Sequence, residues 1–136
     1  MSCRSYFIAS VFLVGLFGCS AAPIQDFHDI PVHMAQANAT LNDVQVAIIR
    51  GGTEAGWQMK VEGPGRIKAR YHFEREMAEV QISFNTKSYS IHYLNSSNLS
   101  YSAKPGGEAT IYEDYNVWIQ DLDRAIRKDM IQREDG

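Results

Sequence analysis

Cysteine is almost missing from this 136-residue chain, which holds two, Cys3 and Cys19. Two thiols so placed form neither a CxxC redox pair nor a four-cysteine zinc site. Two cysteines allow one disulfide at most, so no disulfide network holds the fold and packing has to stabilise it. Positive charge is also scarce. Lys and Arg total 13 against 16 Asp and Glu, for a net charge of −3. That balance argues against a dedicated nucleic-acid binder, which carries a basic patch. The longest apolar run, from Tyr6 to Phe17, stops well short of the roughly 20 residues a spanning helix needs. Sequence signatures of familiar chemistry are missing too: no GxSxG, HExxH, P-loop or EF-hand spacing occurs. The GPG at 63–65 and the PGG at 105–107 are turn punctuation, since neither leads into a helix with a following Lys-Ser/Thr. No internal repeat is present.

What is present begins at the N-terminus. Arg4, the apolar run and the small residues after it have the layout of a secretory signal. Leu16, Phe17, Gly18 and Cys19 resemble a bacterial lipobox. The resemblance implies removal of Met1–Gly18 and diacylglyceryl and acyl (palmitate-type) modification of Cys19. Membrane lipid is then the first partner. Each buried CH₂ contributes about 0.8 kcal/mol, so two or three chains anchor stably where one does not. Ser20, in place of the Asp that retains such proteins at the inner membrane, implies an outer-membrane address facing the periplasm. The expected organisation is a signal peptide (1–18), a lipidated N-terminus and tether (19–39) and one α+β domain (40–136). Pro23 and Pro31 interrupt the tether, and Phe27, Ile30 and Val32 give it partial order. His28 and His33 in this stretch read as two solvated histidines and not as metal ligands.

Thr40 and Asp43 have capping-box spacing. Leu41, Val44, Ile48 and Ala55 follow at helical intervals, widened by Val46 and Ile49. Gly51 and Gly52 would let this helix approach a sheet closely or end it early, and Gly56 is its C-terminal cap. The period then falls to two. Met59 and Val61, then Ile67, Ala69, Tyr71 and Phe73, then Ala78, Val80, Ile82 and Phe84, then Tyr89, Ile91 and Tyr93 alternate with polar residues. Such clean alternation predicts a four-stranded antiparallel meander with one wet face. A second helical stripe runs through Tyr115, Trp118, Ile119, Leu122, Ala125, Ile126 and Met130. Both helices need the dry face of the sheet. The expected fold is therefore α+β, a two-layer α-β-β-β-β-α domain.

Three constellations bear on function. The segment from Asn95 to Thr110 is long for a connection, and Tyr93, Asn95, Asn98 and Tyr101 are residue types of adaptable binding loops. The wet face carries Lys60, Arg66, Lys68, Arg70 and His72, with Glu62 and Glu79 among them, and reads first as a solubilising face. His72 and His92 should lie two strands apart, roughly 9–10 Å, too far for direct shared coordination, with Glu79 across from His72. No catalytic set, metal site or cofactor is expected from these patterns.

GWQMKVEGPG, SYSIHYLNSSNL and YNVWIQDLDRAI together resemble a group of small bacterial lipoproteins of uncharacterised function. The resemblance implies an envelope lipoprotein and carries no activity with it. The leading expectation is a non-enzymatic module that binds an envelope protein or polymer. The alternatives are a periplasmic enzyme or enzyme inhibitor with its site in the Asn95–Gly107 loop, and a structural subunit that self-associates through a sheet edge.

Overall fold

The computed structural model describes residues 21–132. The expected signal peptide (1–18) and Cys19 lie outside the described residues. Along the chain run β1 (Ala21–Pro23), β2 (Phe27–Pro31), α1 (Leu41–Glu54), β3 (Gln58–Gly63), β4 (Arg66–Phe73), β5 (Glu76–Phe84), β6 (Ser88–Ser97), β7 (Thr110–Tyr112) and α2 (Asp114–Gln132). The fold is α+β, as expected. Its main sheet has five antiparallel strands in the order β2-β6-β5-β4-β3, and β1 pairs with β7 in a separate two-stranded sheet.

Local chemistry starts and stops α1. The Asp43 amide donates to Thr40 Oγ1 (3.1 Å) and the Thr40 amide donates to Asp43 Oδ2 (2.9 Å). Two orphan amides of the first turn are thus satisfied reciprocally. At the other end Gly56 adopts φ +93°. Its amide donates to Thr53 O and the Trp57 amide to Gly52 O, which is a Schellman closure. The two helical glycines divide their work. A Cβ on Gly51 would lie 2.6 Å from Ile126 Cα, so Gly51 sets the close approach of α1 to α2 and not to the sheet. A Cβ on Gly52 would meet only the flexible Met59 thioether of β3. Gly51→Ala is therefore expected to cost about 1–3 kcal/mol by overpacking, despite alanine's better helix propensity. Gly52→Ala should cost distinctly less, because Met59 can move aside. Urea midpoints of the two variants check this ordering.

The meander β3-β4-β5-β6 is as predicted. Gly65 turns its first hairpin at φ +72°, where a Cβ would lie 2.6 Å from Phe84 O, so backbone contact as well as conformation requires glycine. The Asn85 carboxamide closes the last hairpin by accepting from the amides of Lys87 and Ser88 (2.7 and 2.8 Å). The dry face packs Ile67, Ala69, Val80, Ile82 and Ile91 against Val44, Ala47 and Ile48 of α1 and Ile119, Leu122 and Ile126 of α2, all with no exposed surface. Each of the Val, Leu and Ile side chains contributes about 1.5–3 kcal/mol. Val61 is 44% exposed although it pairs with buried Ile67, because β3 is an edge of the sheet.

Two features of the core differ from expectation. The stretch expected to be a tether supplies two strands, so the sheet has five strands instead of four and β2 covers the edge of β6. Ile24, Phe27, Ile30, Val32 and Met34 pack against the core without a regular period, and specific hydrogen bonds add to their hold. The Gln25 amide donates to Asn116 Oδ1 (2.9 Å), and Asn116 Nδ2 donates to Pro23 O (2.9 Å). Ile24, Val32 and Ala35 donate to the carbonyls of Ala109, Lys87 and Met130. The second feature is a polar group inside the core. Tyr89 Oη donates to Asp123 Oδ1 (2.5 Å), and Arg127 Nη2 sits 2.8 Å from Asp123 Oδ2. Asp123 is 2% exposed and Tyr89 1%. The sequence stripe treats Tyr89 as apolar and passes over Asp123, yet this pair joins α2 to β6 of the sheet.

Candidate functional site

β6 departs from strict alternation near its end. Tyr93 pairs with Val80 but Asn95 pairs with Glu79, so one extra residue bulges between them. The bulge places Asn95 at a register position on the wet face and leaves Leu94 exposed. The chain then turns sharply. Asn98 and Ser100 adopt φ +60° and +53°, in the left-handed region that asparagine tolerates best among these types. Between them Leu99 is buried to 1% exposure and anchors the turn. The Asn98 amide group donates to Arg75 O in the β4–β5 turn (2.6 Å), and the Tyr112 amide donates to Leu99 O (2.8 Å). Ser102 and Thr110 exchange backbone hydrogen bonds at 2.9 and 2.8 Å. The expected Asn95–Thr110 loop is thus shorter than its composition implies. It starts after Ser97 and is closed at its base by the Ser102–Thr110 bridge.

This folding back brings Tyr101 onto Tyr93, with ring centroids 4.3 Å apart and planes inclined by 15°. Tyr93 packs edge-on against Tyr115 (5.7 Å), and its hydroxyl hydrogen-bonds Ser96 Oγ (2.8 Å). The result is an open depression of about 550 Å³, lined by Tyr93, Asn95, Ser96, Asn98, Ser100 and Tyr101 among others. All four residues singled out from sequence, Tyr93, Asn95, Asn98 and Tyr101, line it.

The lining is uncharged. Burial, with a smaller contribution from Tyr101, holds the Tyr93 phenol above its ordinary value, partly opposed by the Ser96 hydrogen bond. Beneath it Tyr115 is fully buried, and its hydroxyl has no hydrogen-bond partner among the described residues. Burial, and then the nearby Asp26 and Tyr93, push that phenol far up. Neither ring ionises at neutral pH. The cleft can offer carboxamides, serine hydroxyls and the outer face of Tyr101, which is 41% exposed. That chemistry suits an uncharged ligand rich in hydrogen-bonding groups and with one apolar face.

The wet face pairs its charges. Arg70 donates twice to Glu79 Oε2 (2.6 and 3.0 Å), and Lys60 lies 3.9 Å from Glu62. Glu79 is opposite Arg70 in register, not His72, whose partner is Met77. Lys60 also stands opposite Lys68 in register, so these two carboxylates offset only part of the positive charge on the face.

The histidines combine in a way the sequence does not reveal. His72 pairs with Met77 and His92 with Gln81, so an offset along β5 adds to the two-strand gap between them. Exposed His33 follows β2, apart from His28. His92 instead meets His28 across β2 and β6, with ring centroids 4.8 Å apart. Asp26 joins them, and one ligand atom from each of the three residues lies within 4.8 Å of the others. Asp26 and His28 stand in a segment with no hydrophobic period, so no register could be assigned to them from sequence. No protein family, curated protein or solved structure matches this chain.

Proposed function

We propose that the chain is a lipid-anchored lipoprotein of the bacterial envelope, held at Cys19 and facing the periplasm. On this reading it is a non-enzymatic binding module. Its contact site is the Tyr93–Tyr101 cleft, and its ligand is an uncharged, amide- or hydroxyl-rich segment of an envelope polymer or protein. The lipobox-like Leu16–Cys19 supports the anchor. Among the described residues no helix is long and apolar enough to cross a membrane. The observation that carries the binding role is the convergence of four binding-type residues on one uncharged depression.

Two measurements test the reading. Cells fed labelled palmitate should label the wild type and not Cys19→Ala, and the variant should leave the membrane fraction. Pull-downs from solubilised envelopes should recover a specific component with the wild type. Tyr101→Ala removes an exposed aromatic anchor of about 2 kcal/mol, so recovery should fall roughly thirtyfold in affinity. Asn95→Ala should weaken it less. Identical recovery by wild type and both variants would reject this cleft as the contact surface.

A further inference from the structure

We infer that Asp26, His28 and His92 form a binding site for one divalent transition-metal ion, with Zn²⁺ the best-matched member of the class. This inference is independent of the cleft. Phe27 pairs with Ile91 and turns to the core, so its neighbours Asp26 and His28 fall beside His92 on the opposite face. The backbone around them is held in place. Asp29 takes φ +50° at the irregularity in β2, and its amide donates to Ser90 Oγ (2.9 Å). The Tyr93 amide approaches Asp26 Oδ1 at 3.5 Å. Asp26, just before β2, thus comes together with His28 of β2 and His92 of β6.

The donor set selects the ion. Two imidazoles and one carboxylate suit zinc and its neighbours in the first transition row, whereas Ca²⁺ and Mg²⁺ prefer all-oxygen shells. A tetrahedral ion bound at about 2.0–2.1 Å requires its ligand atoms about 3.3 Å apart. The present atoms lie within 4.8 Å of one another. Asp26 and His28 are exposed, so modest side-chain rotation closes the difference without moving the strands. Three protein ligands leave a fourth position for water. Because β2 is an edge strand with a broken register, the ion would clamp it to β6 and stabilise the N-terminal segment by linkage.

The test uses the untagged full-length chain in detergent, stripped with chelator and titrated calorimetrically with ZnCl₂ alone. One equivalent should bind per chain, and the melting temperature should rise with zinc. His28→Ala and His92→Ala should each weaken binding at least about tenfold, a scale on which even outer-shell partners act. His33→Ala and His72→Ala should leave binding unchanged. Substitution with Cu²⁺ gives a second readout on the unaltered chain: its paramagnetic resonance should show coupling to two imidazole nitrogens. Failure of the wild type to bind zinc overturns the inference. So does unchanged affinity in both His28→Ala and His92→Ala, equal loss in His33→Ala or His72→Ala, or a copper spectrum with fewer than two coupled nitrogens.

Discussion

Between pH 10 and pH 12 the folded chain is expected to lose roughly 4–5 kcal/mol of stability through two tyrosines. Tyr89 and Tyr115 are 1% and 0% exposed. Burial, and then the hydrogen bond to Asp123, drive the Tyr89 phenol far above its ordinary value, against a smaller pull from Arg127. Burial and then Asp26 and Tyr93 do the same to Tyr115. The folded state therefore keeps both protons when the unfolded chain releases them. Their contribution is complete below the unfolded value of about 10 and declines as pH climbs beyond it. Once the unfolded phenols are mostly ionised, each costs about 1.4 kcal/mol per pH unit. Total stabilities are typically 5–15 kcal/mol, so alkaline unfolding should fall inside or just beyond this window. Urea midpoints taken at pH 9, 10, 11 and 12 measure the decline. Tyr115→Phe should roughly halve it without loss at pH 7, since that hydroxyl has no partner to forfeit. An unchanged decline in Tyr115→Phe would contradict the account.

Asp123→Ala is expected to destabilise the chain at pH 7 by about 2–4 kcal/mol, lowering the melting temperature by roughly 10–20 °C. The Tyr89 hydroxyl would lose its acceptor inside the core, and a cavity would open where the buried carboxylate stood. Arg127 adds little to the loss, because its half-exposed side chain can return to water. Tyr89→Phe should cost about 1–3 kcal/mol by orphaning the carboxylate's acceptor. Replacing both partners with apolar residues, as in Tyr89→Phe with Asp123→Leu, should cost less than the sum of the two single changes. Strict additivity in thermal melts of the set would show that the two groups do not act as a pair.

The parts of this fold that are legible in the sequence are those written in local patterns. Thr40 and Asp43 cap α1 three residues apart, Gly56 closes it, and alternation from Met59 to Tyr93 lays out the meander. Composition alone also marked the residues of the cleft. The remainder depends on partners distant in the chain. Asn116 recognises backbone at Pro23 and Gln25, and prolines erase the alternation that would have marked β1 and β2 as strands. The same gap hides Asp26 and His28 from His92. Gly51 looks like a weak point in a helix until α2 is placed against it. Asp123 looks like one more polar residue on α2 until Tyr89 reaches it from β6.

The pairing of β1 with β7 has a consequence for motion. β1 begins at Ala21, two positions after Cys19. An extended chain covers at most about 3.3–3.6 Å per residue, so with Cys19 acylated as proposed the stand-off from the lipid-bearing residue is at most about 7 Å. A lipoprotein on a long leash sweeps a volume above the bilayer. This one would ride on the headgroups and search by lateral diffusion, in two dimensions. Its encounters would be confined to molecules that lie in the leaflet or press down upon it.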